Sequence, residues 1–302
     1  MTSLSARIVG TLLRATGAVS KRYAGGPHMH KVIAAARAVP DAQPTAKMRK
    51  RLDVRKATLD GRTIWTIAPK DRAPTAHLLF FHGGGYVFSA VPPHFNLYAR
   101  LAERHGIAVT APMYPLAPEH GVDDACRFAL AAYRQFTASH DGPFVLGGDS
   151  AGGGLAAATV MAARDAGLRL PAGLLLICPW LDTSGSHPDQ PQIEKRDSIL
   201  KLRGIRDAGK LYAKDAPAAD PRVSPIHGDW SGLPPVLMFG GEDDILVTDA
   251  RALKAKLPDA EYQEGAGLMH DWPLFFFPES RAAQERMAAF IVSSTASRAI
   301  LD

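Results

Sequence analysis

The chain has 302 residues, 46% hydrophobic and 22% charged, an ordinary globular composition. Its net charge of +5 is lopsided: residues 1–56 carry 12 Lys/Arg against Asp41 and Asp53, about +10, which leaves the remainder near −5 and excludes a basic nucleic-acid groove across the fold. No apolar run reaches the roughly 18 residues of a membrane span, the densest, residues 170–181, being broken by Pro171 and Pro179, and Cys126 and Cys178 read as buried thiols of a reducing cytoplasm rather than a disulfide framework.

Residues 2–23 form a predicted amphipathic helix. Leu4, Ile8, Leu12 and Val19 share one side, and Arg7, Arg14 and Lys21 the other. Arg14 interrupts the apolar run too early for a secretory signal. Packing of the apolar face on the protein is the favoured expectation over a membrane-surface helix. Gly25-Gly26-Pro27 then breaks the chain, and a weakly helical piece ends near Pro40. His28 and His30 lack the neighbouring ligands a metal would need.

From Leu52 the period changes. Residues 52–59 and 62–68 flank Asp60-Gly61, a hairpin signal. Strands are expected at 77–81, 107–114, 143–146, 172–177, 236–239 and 260–263, with helices at 94–105, 122–139, 151–166, 248–257 and 279–293. That alternation means an α/β fold: a mostly parallel sheet with helices on both faces and a hairpin at its leading edge. Residues 183–235 are too long for an ordinary crossover and read as an insertion over the strand ends. The organisation expected is an N-terminal cap segment, 1–45, and a catalytic domain, 46–302, with 183–218 as an inserted cap segment.

The chemistry concentrates after the strand ending at Leu146, where Gly147-Gly148-Asp149-Ser150-Ala151-Gly152 carries the G-x-S-x-G pattern. In such an elbow the serine sits on a strained strand-to-helix turn, and its hydroxyl stands at a helix N-terminus. A P-loop would need Lys-Ser/Thr at its end, and a dinucleotide loop a G-x-G-x-x-G spacing. The earlier strand 77–81 leads into His82-Gly83-Gly84-Gly85-Tyr86, where consecutive amides can converge on an oxyanion. His82 is expected to shape this loop by a local hydrogen bond, not to act as a base. Later strands lead into Glu242-Asp243-Asp244 and into His270-Asp271, giving the order serine, acid, histidine. The three consecutive carboxylates leave the acid open at this point.

These motifs, with Tyr114-Pro115-Leu116-Ala117-Pro118-Glu119-His120 and Ser224-Pro225-Ile226, resemble the hormone-sensitive-lipase-like group of α/β-hydrolases, bacterial carboxylesterases carrying H-G-G-G and G-D-S-A-G. The resemblance implies an α/β-hydrolase fold with a helical cap, covers most of the chain from about Leu78, and assigns Ser150 as nucleophile and His270 as base. Its oxyanion donors would be the amides of Gly83, Gly84 and Ala151. The group's acid lies two residues before a leucine and a few before another aspartate; Asp244, with Leu246 and Asp249, meets that spacing, and Asp243 meets it less well. The activity implied is that of a serine carboxylesterase for short-to-medium acyl esters, with no metal or organic cofactor. A lactone or amide hydrolase with the same machinery is the alternative, and a hydrolase-fold receptor is disfavoured because His270 is in place. Tyr86, Phe88 and Trp180 are expected to crowd the substrate pocket, and the resemblance permits a homodimer.

Overall fold

Leu78, Leu79, Phe80 and Phe81 are all fully buried, as a strand must be when both faces of its sheet are covered. The structure, a computed structural model, describes residues 2–298. Met1, in the expected N-terminal segment, and residues 299–302, in the expected catalytic domain, lie outside the described residues. Eight strands form one sheet: β1 (Leu52–Leu59), β2 (Arg62–Pro69), β3 (Ala76–Phe81), β4 (Ile107–Pro112), β5 (Val145–Asp149), β6 (Gly173–Ile177), β7 (Val236–Gly241) and β8 (Glu261–Gly265). Their spatial order is β1-β2-β4-β3-β5-β6-β7-β8. The β1–β2 hairpin pairs antiparallel at one edge and β2 meets β4 antiparallel; every later pairing is parallel.

The expected strand 143–146 runs on through both glycines to Asp149, because β3 and β6 hydrogen-bond it from either side: Phe81 pairs with Gly148, and Asp149 with Ile177. The carboxyl ends of β3, β5, β7 and β8 therefore deliver the glycine loop, the serine, the acid and the histidine to one rim of the sheet, where ligands of such sheets gather.

The N-terminal segment is α1 (Leu4–Thr16), a short 3₁₀ turn (Ser20–Tyr23) and α2 (Gly26–Arg37). The single helix expected over 2–23 is thus two pieces, since α1 stops at Gly17 in the left-handed region. The expected packing of its apolar stripe is also corrected. Leu4, Ile8 and Leu12 are 70%, 49% and 57% exposed, and α1 rests instead on buried Ala6 and Gly10, with Val9 and Leu13 half-buried beside them. Small residues admit the closer approach to the body, while Arg14 reaches the carbonyl of Arg196 at 2.9 Å.

The connection after β6 carries α3 (Gln190–Glu194) and α4 (Leu202–Ala213); α4 lies against α2 and the 3₁₀ turn, and α3 packs on α4. The amide of Gly26 donates to Asp207 at 2.6 Å. Buried Asp197 accepts the amides of Ile199 and Leu200, each at 2.8 Å, and that of Ile245 at 2.9 Å. Asp197 therefore ties the inserted segment to the loop that carries Asp244. Among the described residues no helix is long and apolar enough to cross a membrane, and Cys126 and Cys178 are free thiols.

Candidate active site

Ser150 closes β5 and caps the helix Ala151–Asp165 with φ 50° and ψ −123°, a combination strained for a residue with a Cβ. The surroundings force it. Its amide donates to Ile177 at 2.8 Å, and its carbonyl accepts from Trp180 at 3.0 Å. A Cβ on Gly148 would lie 2.2 Å from the Gly152 carbonyl oxygen, and one on Gly152 only 2.1 Å from that of Phe81. Both flanking glycines are therefore required by backbone contact.

Asp244 is fully buried. Its Oδ2 lies 2.8 Å from Nδ1 of His270, and its Oδ1 accepts the amide of Leu246 at 2.8 Å. The two neighbouring acids are occupied elsewhere: Asp243 accepts from Arg196 at 2.7 Å, and Glu242 from the amide of Gly267 at 2.7 Å. Of the three candidates, Asp244 alone meets His270.

His270 and Ser150 line one cavity of about 280 Å³, together with Gly83, Gly84, Phe88, Ile199 and Leu274. No hydrogen bond joins the Ser150 hydroxyl to His270 among the described residues. Nε2 of His270 instead faces Oδ2 of Asp271 at 3.1 Å. Burial opposes a charged imidazole here, but Asp244 and Asp271 outweigh it and hold the His270 pKa well above 6.5. Burial in turn pushes the Asp271 carboxyl up to about 7 against the pull of His270. Asp271 sits at φ 52°, and its second oxygen, Oδ1, is buried without a partner among the described residues.

The glycine loop is fixed by residues whose roles the sequence did not announce. Asp149 accepts the Gly83 amide at 2.9 Å and faces Nε2 of His94 at 3.0 Å. Burial works against the Asp149 charge, yet His94 keeps its carboxyl below the usual range. His82 turns Nδ1 to the Gly83 carbonyl at 2.7 Å, the local bond expected of it, and Tyr114 donates to the His82 carbonyl at 2.7 Å. The expectation for Gly83 changes accordingly: its hydrogen is committed to Asp149. Gly84, Gly85 and Ala151 donate to no acceptor among the described residues, Ala151 because it opens a helix.

Of the three residues expected to crowd the substrate pocket, Phe88 lines this cavity. Tyr86 and Trp180 do not line the cavity. Tyr86 stacks face to face on Tyr212, ring centroids 3.6 Å apart, and Trp180 spends its indole N–H on the Asp182 carbonyl at 2.9 Å. Both belong to the packing under the inserted segment. The walls the sequence missed come from the N-terminal segment (Val19, Arg22 and Tyr23), the inserted segment (Ile199) and the stretch after His270 (Leu274 and Phe275).

Cys178, His270 and Asp271 place one potential metal ligand each within 4.8 Å of one another. Both His270 nitrogens already face carboxylates, and burial pushes the Cys178 thiol well up, away from the thiolate a metal would need. This trio reads as the underside of the His270 site.

Residues 78–274 match the family model described as alpha/beta hydrolase fold. An acetyl-hydrolase of Streptomyces hygroscopicus is 35% identical over 251 residues, spanning 80% of this chain and 79% of that protein. An esterase of Acinetobacter venetianus is 30% identical over 260 residues, 83% of each. The crystal structure of an esterase from the bacterial hormone-sensitive lipase family superposes with a TM-score of 0.83 at 26% identity, covering 98% of this chain and 99% of that one. With the elbow and the Asp244–His270 pair at the rim of the same sheet, the chain belongs to the α/β-hydrolases, in the hormone-sensitive-lipase-like group of carboxylic ester hydrolases.

Proposed function

We propose that the protein hydrolyses short-to-medium acyl carboxylic esters through Ser150, His270 and Asp244 and an acyl-enzyme intermediate. The observation that carries the reading is the Asp244–His270 pair, 2.8 Å apart, lining one cavity with the strained Ser150. His270 Nε2 takes the Ser150 proton as Oγ attacks the ester carbonyl, and the amides of Gly84, Gly85 and Ala151 receive the oxyanion. Collapse releases the alcohol with the proton held on His270, and water repeats the sequence on the acyl-enzyme. Before attack, Nε2 exchanges Asp271 for the serine hydroxyl; such bonds tighten on substrate binding.

The cavity sets the acyl length. About 280 Å³ bounded by Phe88, Ile199, Leu274 and Phe275 is small for a ligand site. Each buried CH₂ contributes about 0.8 kcal/mol until the wall is met. With 4-nitrophenyl esters from acetate to palmitate, kcat/KM is expected to peak within about C2 to C8 and fall beyond it. A maximum at C16 contradicts the cavity as acyl site, and absence of turnover with every ester contradicts the function.

Asp271 adds a pH signature. Hydrolysis needs neutral His270, so kcat/KM rises with pH as the imidazolium loses its proton. Two carboxylates raise that pKa. Asp271→Asn removes one of them, and asparagine tolerates the left-handed backbone. The acid limb of the kcat/KM profile is therefore expected to move to lower pH, raising activity at pH 6 relative to pH 8. An unmoved limb, or one moved upward, would show that Asp271 does not bias the base.

A further inference from the structure

Among the charged side chains in the wall of the Ser150 cavity, one is left unmatched. Asp149 faces His94 at 3.0 Å, and Asp271 faces His270 at 3.1 Å. The side chain of Arg22, from the turn between α1 and α2, makes no hydrogen bond or ion pair among the described residues, and its Nε is buried without a partner. Arg37, which shares the wall of a neighbouring cavity, and Arg196 of the inserted segment are both engaged. Arg37 donates to the carbonyls of Val87 and Ala117 and pairs with Glu119, while Arg196 pairs with Asp243. The Arg22 guanidinium lies over the Phe88 ring, its central carbon 3.9 Å from the ring centroid. Phe88 lines the same cavity. Stacking uses the face of the guanidinium and leaves its edge, with parallel N–H groups, free for a planar anion.

The position is also a junction. Arg22, Ser89 and Val91 line both the 280 Å³ cavity of Ser150 and an adjoining one of about 510 Å³, whose wall adds Lys21, Arg37 and the opposing charge of Asp41. Arg22 thus borders the space in front of Ser150 itself, whereas Lys21 and Asp41 border only the adjoining one.

We propose that Arg22 is a specificity-determining residue that seats a carboxylate carried by the substrate at a distance from its scissile ester, so that the preferred substrates are half-esters or carboxylated esters rather than neutral ones. This role rests on the ester-hydrolase reading for the reaction and on Arg22 alone for the charge. A bidentate guanidinium–carboxylate pair is charge-assisted, the strong class of hydrogen bond, and here it would form in a partly buried wall beside an aromatic ring.

The test compares matched esters: mono-4-nitrophenyl adipate against 4-nitrophenyl hexanoate for an anion on the acyl side, and 4-acetoxybenzoate against 4-methylphenyl acetate for the alcohol side. In at least one pair the wild-type ratio of kcat/KM, anionic over neutral, is expected to be about 10–100. Arg22→Met keeps a stem over Phe88 and is expected to bring that ratio to about 1 or below, and Arg22→Glu lower still. A ratio cancels any general loss of activity. Ratios near 1 in both wild-type pairs, or a ratio undiminished in Arg22→Met, overturn the proposal. Should Arg22→Met fail to fold, the wild-type ratio in 1 M against 0.05 M NaCl decides: independence of salt overturns it, and a several-fold fall with retained preference in Arg22→Lys supports it. If no ester is turned over and a fluorophosphonate leaves Ser150 unlabelled, the ester-hydrolase reading has failed. Calorimetric titration with adipate then still tests the anion seat, where loss of binding in Arg22→Glu supports it and absence of binding to wild type overturns it.

Discussion

Ser150→Ala is expected to lower kcat by about 10⁵- to 10⁶-fold, the scale of removing the nucleophile of a serine hydrolase, and to abolish labelling by a fluorophosphonate. The protein should remain folded. Ser150 lends its backbone to the elbow through the bonds to Ile177 and Trp180, and alanine leaves both in place; the side-chain oxygen makes no hydrogen bond among the described residues. Alanine retains the Cβ strain at φ 50° and removes only the hydroxyl. Some acceleration over water should persist, since the amides of Gly84, Gly85 and Ala151 and the cavity are untouched. Circular dichroism and a thermal melt alongside the kinetics separate chemistry from folding. A folded variant with unaltered kcat would remove Ser150 from the mechanism.

How far the sequence carries depends on how local each requirement is. The elbow is legible because its constraint lies within a few residues: Gly148 and Gly152 are glycines because backbone atoms stand about 2 Å from where their Cβ atoms would be. The parallel sheet is legible because buried strands must read as continuous apolar runs, as Leu78 to Phe81 do. His270 is legible from chain order, since it comes after a strand beyond the acid. Interactions between distant positions leave no such mark. His94 and Asp149 are 55 positions apart, and nothing near either names the other. Asp149, so held, takes the Gly83 amide, so the glycine loop could be located from the sequence but which of its amides stay free could not. Orientation is equally hidden. Tyr86, at φ 61°, turns its ring onto Tyr212 and away from the cavity, and α1 buries Ala6 and Gly10 while Leu4, Ile8 and Leu12 face outward. Hydrophobicity and periodicity could not have chosen those faces, because the deciding factor is how closely a neighbouring backbone can approach.

The acid is where register matters most, and its removal carries the second large effect. Asp244→Asn is expected to cost about 10⁴ in kcat with a modest change in KM, the effect of the same replacement in the serine-protease template. The reason is hydrogen-bond character. Asp244 Oδ2 stands 2.8 Å from Nδ1 of His270 and, as an acceptor only, requires the proton on that nitrogen, which leaves Nε2 to accept from Ser150. An asparagine amide in the same place can donate to Nδ1 and so favours the proton on Nε2, the tautomer that cannot act as base. It also withdraws the charge that stabilises the imidazolium formed during attack. The adjacent carboxylates provide internal controls. Asp243 faces Arg196 and Glu242 holds the Gly267 amide, so Asp243→Asn and Glu242→Gln should alter the rim around the site and leave kcat within about tenfold. Asp271 complicates a simple loss, because it faces the other nitrogen at 3.1 Å and keeps a carboxylate beside His270 after Asp244 is gone. Residual activity in Asp244→Asn should therefore fall further in the double variant with Asp271→Asn if Asp271 partly replaces the lost charge, and should rise if Asp271 only holds Nε2 away from the serine. A dead Asp243→Asn beside an active Asp244→Asn would shift the acid by one residue and leave the serine and the histidine where they stand.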